Sequence, residues 1–392
     1  MSTISEQKLK KLIPEVSRLR KTLHRYPEIA GQERQTAGWI KATLEKYSPD
    51  RIIEGIGGYG MAALYDSGQP GPTVLFRAEM DALPIAESND FSHKSQHDGV
   101  SHKCGHDGHA AILTGVAAAI SGNRPATGRL VLLYQPEEET GHGAEKVIKD
   151  RKFQEISPDT VFSLHNLPGF RKNEIVLREG VFASASKGVI IQLKGISTHA
   201  AHPELGRSPG PMLPELISGL LAIPGRKNDF RDYTLITIVH VRLGEVDFGT
   251  NPGEGVVMAT MRSFSNEDMI VLSEKLESLV NRLSKKYKIE PSIRYTQVFP
   301  VTVNNQNNCD IVRKAAEMNG LNVHTISEPF RWSEDYGHFA AHFPSVLFGI
   351  GAGRKHPSLH QSDYDFPDEI MPAAISMFCS IAGEVLKLTD HV

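Results

Sequence analysis

The stretch SHKCGHDGH (101–109), running directly into the apolar segment AAILTGVAAAI (110–120), is where the fold of this chain is decided. The second segment has no polar face, so it reads as a helix packed inside the protein. It begins near Asp107, whose carboxylate then lies at the positive end of the helix dipole. The preceding nine residues hold three histidines, a cysteine and an aspartate, the side chains that bind borderline-soft divalent metals. Cys104 and His106 are two apart, a spacing that suits a loop or strand end presenting both to one ion. A histidine-rich capping loop fits the stretch equally, because no regular zinc-finger spacing is present.

Upstream, Leu9, Leu12, Ile13, Val16, Leu19 and Leu23 form a helical stripe over 5–25 despite Pro14, and a second helix is expected near Thr36–Tyr47. Two β-rich runs follow, GMAALYD (60–66) and PTVLFRAEMDALPI (72–85), the second ending in carboxylates. Downstream come the strand RLVLLYQ (129–135), stopped by Pro136 and a run of glutamates, a helix near 143–152, and the strand TVFSLHN (160–166), which ends at His165. Strands alternating with helices, with polar residues at strand C-termini, describe an α/β sheet whose site lies along one edge.

The pattern changes after about Ala185. GVIIQLKG (188–195), YTLITIVHVRL (233–243), GVVMATMRSF (255–264) and SIRYTQVF (292–299) read as strands, and the segments 210–223 and 266–287 as helices. Strand–helix–strand–strand–helix–strand in about 110 residues is the ferredoxin-like arrangement. The α/β pattern then resumes with a helix near 309–319, the strand PSVLFGIG (344–351) and a last helix from Asp368 to Lys387. The expected fold is therefore α/β: a mostly parallel-sheet catalytic domain made of 1–186 and 300–392, with an inserted α+β domain over 187–299.

At 392 residues, two domains are the default. A formal charge of -3 gives no basic footprint for nucleic acid or an anionic membrane. The N-terminal MSTISEQKLKKLIPEV has scattered charge and no apolar core, so no secretory signal is expected, and no apolar run reaches the ~20 residues of a membrane span. Three cysteines, Cys104, Cys309 and Cys379, do not make a disulfide framework. The expectation is a cytoplasmic protein in which a thiolate can serve as a ligand.

Two-metal hydrolysis needs ligands for two ions and a carboxylate that takes a proton from water. Cys104, His106, Glu139, His165 and His360 are candidate ligands from separated elements. Glu138 and Glu139 diverge if the chain there is extended, so that one binds metal while the other faces the water. The bland readings stay open at this point: a solvated turn for the glutamates, a hydrogen-bonded core histidine for His165, and a surface loop residue for His360.

Eight stretches together resemble one family: LRKTLHRYPE (19–28), FRAEMDALPI (76–85), HKCGHDGHAA (102–111), YQPEEETGHGA (134–144), SLHNLPG (163–169), GISTHAAHPELGRSP (195–209), SEDYGHFA (333–340) and SLHQSDYDFPDE (358–369). It is the aminoacylase/carboxypeptidase family of co-catalytic metallopeptidases, in the branch of hippurate hydrolases, N-acyl-amino-acid amidohydrolases and auxin-conjugate hydrolases. The resemblance implies that Cys104, His106, Glu139, His165 and His360 hold two divalent ions (Mn, Zn, Co or Ni), and that Glu138 is the general acid/base. It further implies that Asp81 orients a ligand, that His199 contacts the substrate, and that the inserted domain is a lid through which the chain forms a homodimer or tetramer. The implied substrate is a small acyl-amino acid.

The chain departs from the family pattern at three places. Glu137 stands where alanine is usual, Gly249 where the lid asparagine is expected, and Glu79 where aspartate is more common. Asn251 is the candidate to replace the lid contact. Arg262 is a candidate for holding the substrate carboxylate, and a structural or solvent-facing role fits it as well. A serine hydrolase is disfavoured because no G-x-S-x-G elbow is present. A degenerate, non-catalytic metal- or ligand-binding relative is disfavoured by the intact Glu138.

Overall fold

In the computed structural model, which describes residues 4–225 and 227–389, the apolar run forms the helix His106–Ile120, and every one of its residues is buried. The first three residues of the N-terminal stretch read above lie outside the described range. The helix packs on the strand Thr73–Glu79 and between the helices Glu6–Arg25 and Met371–Leu386. Gly115 makes the three-helix approach possible, since a side chain there would collide with Ile375 and Val16. The segment Asp368–Leu386 is long and apolar enough to cross a membrane by length and composition, which corrects the expectation that no such run exists. Its Met371, Ile375, Phe378 and Ile381 are core residues.

The described residues form two compact units. One comprises the chain up to 182, 302–328 and 335 onward; the other comprises 183–301 and 329–334. Residues 183–186, 300–301 and 329–334, read from the sequence as part of the outer domain, thus pack with the second unit.

The first unit is built on an eight-stranded sheet in the order Arg51–Ile56, Gly60–Asp66, Arg129–Gln135, Thr73–Glu79, Thr160–Pro168, Ser345–Gly353, Ile175–Leu177, Val323–Thr325. The central four strands, 129–135, 73–79, 160–168 and 345–353, are mutually parallel. The flanking pairs 51–56/60–66 and 60–66/129–135 are antiparallel, as is 345–353/175–177. Parallel strands send their C-terminal ends to one edge, and helices cover their faces, so these strands are apolar nearly throughout. All seven residues of 73–79 are buried, and so are eight of the nine in 160–168.

The second unit is a four-stranded antiparallel sheet, Thr234–Leu243, Glu254–Ser263, Ala185–Lys194, Glu290–Phe299, with the helices Met212–Ala222 and Asn266–Tyr287. Numbered along the chain, the strands lie in the order 2-3-1-4, the ferredoxin-like arrangement. Val257, Ala259 and Met261 alternate inward from the strand 254–263, which the helix Asn266–Tyr287 covers; Leu272, Leu276 and Val280 of that helix are buried, as are Leu216 and Leu220 of the helix packed beside it. Edge strand 234–243 is exposed over most of its length.

Candidate metal centre

The parallel strands explain how residues far apart in sequence meet. Asp81 follows the strand 73–79, Glu138 and Glu139 follow 129–135, His165 lies near the end of 160–168, and His360 lies beyond 345–353. Cys104 and His106 flank Gly105, whose φ of 96° starts the buried helix. No other residue fits there, since a side chain on Gly105 would run into Asn166 and Tyr364.

Metal-binding atoms of three sets lie within 4.8 Å of one another: Cys104/His106/His165, Cys104/Glu139/His360, and His106/Glu138/Glu139. Cys104 Sγ is 3.5 Å from His165 Nε2. His106 Nε2 is 3.9 Å from Glu138 and 4.0 Å from Glu139, and His360 Nε2 is 3.7 Å from Glu139. A thiolate, imidazoles and carboxylates at these separations can hold divalent transition-metal ions.

His106 and His165 are each oriented by their other ring nitrogen. His106 Nδ1 donates to the Asp81 carbonyl (3.0 Å) with the Asp81 carboxylate 3.3 Å away, and His165 Nδ1 donates to the Asn166 carbonyl (2.9 Å). Both rings therefore turn Nε2 toward the cluster. Asp81 also accepts the Glu139 N–H at 3.0 Å. Burial opposes the Asp81 charge, but the bonds from His106 and the Glu139 N–H outweigh it and hold the carboxyl below the usual carboxylate range. His360 is half exposed, is backed by its N–H bond to the Lys103 carbonyl (2.7 Å), and adopts φ 65°.

The expectation of an extended glutamate pair is corrected. Residues 138–140 form a 3₁₀ turn entered through Glu137 in the left-handed region (φ 58°) and left through Gly141 (φ 71°). The turn, not a strand pleat, separates the two carboxylates. Glu138 is buried and accepts the Asp335 N–H at 3.2 Å.

Buried charges behind the candidate ligands hold them in place. Arg77, wholly buried, pairs with Glu79 and with Asp335 (2.6 Å) and donates to Gln135 (2.8 Å). Glu79 in turn holds His109 Nδ1 at 2.6 Å, while His109 Nε2 lies 3.1 Å from Asn166. With both nitrogens engaged, His109 supports the centre although it belongs to the histidine-rich stretch. On the other side, Asp107 and Glu87 each sit 2.9 Å from a nitrogen of His24. Burial opposes a charge on that ring, but the two carboxylates outweigh it and push it up to about 9. Lys103 joins the network through Glu87, Asn89 and the Tyr364 carbonyl.

The remaining candidates belong to the second unit. His199 is exposed, pairs with Thr250 across a two-residue strand, and accepts the Ala201 N–H on Nδ1 at 3.0 Å. Asn251 bonds Thr198 at 3.3 Å. Arg262 donates to the Arg331 carbonyl (2.8 Å) and to Ser333 (2.9 Å), contacts of a structural kind.

A parallel-sheet edge lined by thiolate, imidazole and carboxylate, with one more glutamate beside them, is the architecture of a metallohydrolase. Peptidase family M20/M25/M40 matches residues 75–384, and the chain belongs to it. The hippurate hydrolase of Campylobacter jejuni is 29% identical over 385 residues, 96% of this chain and 100% of that protein. An uncharacterised hydrolase of Staphylococcus epidermidis is 29% identical over 369 residues, 92% of this chain and 95% of the relative. A dinuclear metal-binding M20 peptidase from Bacillus subtilis shares the fold at a TM-score of 0.81 and 23% identity, covering 96% of this chain and 99% of that one. So does an aminobenzoyl-glutamate utilization protein from Klebsiella pneumoniae, at 0.74 and 19%, covering 96% and 97%. The chain is accordingly a metallo-amidohydrolase or peptidase.

Proposed function

We propose that this protein hydrolyses the amide bond of N-acyl-L-amino acids, including hippurate-like conjugates and small dipeptides, with two divalent ions held by Cys104, His106, Glu139, His165 and His360. The observation that carries the proposal is Glu138, a buried carboxylate set against the donor cluster on a turn that separates it from Glu139. A binding or storage site has no use for such a base. The substrate class is supported by the full-length similarity to a hippurate hydrolase.

When bound, the ions supply an acidified water and polarise the acyl carbonyl. Glu138 takes the proton of the attacking water and returns it to the leaving amine. Asp81 keeps His106 in the tautomer that turns Nε2 to the cluster. The products are a carboxylic acid and a free amino acid. A panel of N-benzoyl- and N-acetyl-amino acids is expected to release amino acid, and a chelator is expected to stop it. Release that persists unchanged in excess chelator would overturn the reading.

The second unit is assigned the lid and dimer surface, with a second copy of this chain as partner and the cytoplasm as location. Val239 and Val241 on the edge strand, with Val246 and Phe248 beyond it, are exposed apolar residues suited to such a contact. His199 is assigned to the substrate oxyanion, with Asn251 as a lesser contact. His199→Ala is expected to lower turnover by ~10²–10³-fold at unchanged metal content. Normal turnover would remove His199 from the site. Mixing Glu138→Gln with His199→Ala subunits is expected to regain part of the activity if two copies share a site.

A further inference from the structure

The turn that carries Glu138 and Glu139 starts at a residue with no conformational reason to be there. Glu137 has φ 58° and ψ 33°, a left-handed conformation that glycine adopts freely and a residue with a side chain adopts only when its surroundings hold it. Two backbone N–H groups in this turn are each taken by a buried carboxylate. Asp81 accepts the Glu139 N–H at 3.0 Å, and Glu33 Oε1 accepts the Glu137 N–H at 2.9 Å.

Glu33 is wholly buried and comes from a distant part of the chain. It precedes the helix Arg34–Leu44, where an acceptor side chain ordinarily caps the first-turn N–H groups, yet it makes no such bond. Glu28 does that work instead, accepting the Thr36 N–H at 2.8 Å. The Glu33 carboxylate, besides interacting with its own backbone and that of Gly31, reaches across to the glutamate turn. The Glu137 side chain is tied separately, to Lys146 at 2.6 Å, and its carbonyl accepts from Thr140 Oγ1 (3.0 Å) and the Gly143 N–H (3.2 Å), so Glu33 is what holds the N–H side of this residue.

We propose that Glu33 is a positioning residue for the reaction: by clamping the Glu137 N–H it fixes the left-handed turn that aims Glu138 at the water and Glu139 at the metals. This rests on the roles given above to Glu138 and Glu139. Burial, with Asp81 adding to it, pushes the Glu33 carboxyl up to about 7. Replacement by glutamine, which keeps a carbonyl acceptor without charge, is therefore a small change there.

The test compares E33Q, E33A, E137G and the double variant E33A/E137G by bound metal after dialysis and by kcat and KM on one acyl-amino acid. E33A is expected to lose ~10–100-fold in metal affinity or kcat with little change in KM, as partners lying behind metal ligands do. E33Q is expected to stay close to the parent. Glycine at 137 adopts the left-handed turn without the clamp, so the double variant is expected to recover to the level of E137G alone. If E33A does not fold, E33D takes its place, one methylene short of the Glu137 N–H. Parent-like metal content and kcat in E33A, or a loss that E137G does not recover, would overturn the proposal. A parent protein that binds no metal would instead overturn the functional reading on which it rests.

Discussion

Glu138→Gln is expected to keep its metals and lose ~10²–10⁴-fold in kcat, the share that a positioned general base contributes. The amide has nearly the shape of the carboxylate and can still accept the Asp335 N–H, so the turn should survive and only proton transfer should fail. Glu139→Gln should fail for another reason. Glu139 shares one set of donors with Cys104 and His360 and another with His106 and Glu138, so weakening it should lower metal occupancy. Elemental analysis beside single-turnover kinetics separates the two. Equal metal loss in both variants would mean that the split of roles between neighbours is wrong.

Arg77→Met is expected to destabilise the first unit by ~3–5 kcal/mol, because it leaves the buried Glu79 and Asp335 without their counter-charge. Against the ~5–15 kcal/mol that holds a typical domain together, this is a large fraction. Activity should fall too. Asp335 holds Glu138 through its N–H and the Ala144 N–H (2.8 Å) through its carboxylate, so its displacement would loosen the glutamate turn and the start of the helix Gly143–Lys149. Adding Glu79→Gln to Arg77→Met should restore part of the stability by removing one stranded charge. Denaturant midpoints check this, and a shift worth less than ~1 kcal/mol would show that the pair is solvated.

What could be read in the sequence follows from periodicity. The helix 266–287 and the strands 234–243 and 254–263 carry patterns long enough to place them nearly to the residue, and with them the ferredoxin-like order. The strand 51–56 leaves little trace in the sequence because its short run, RIIEGI, is only half buried and ends at a bulge. The three-residue strands 175–177 and 323–325 are too short to show a period. At the site, residue types made Cys104, His106, Glu139, His165 and His360 candidates beside blander readings, and the family resemblance is what singled them out as ligands. Glu33, Arg77 and His109 were not legible as support, because a buried carboxylate and a solvated one look alike in sequence. Glu79, a mild departure by motif, proves to be where Arg77 and His109 meet. The turn at Glu137 was equally hidden, since a left-handed residue that is not glycine leaves no mark in the sequence.

The most direct test of metal-dependent amide hydrolysis is to strip the protein to a metal content verified by elemental analysis, then titrate it with Mn²⁺ or Zn²⁺ while following release of amino acid from an N-acyl-amino acid. Activity is expected to be absent at the start and to rise to a plateau near two ions per chain, a stoichiometry that falls in Cys104→Ala. Full hydrolysis by the metal-free protein would contradict the account.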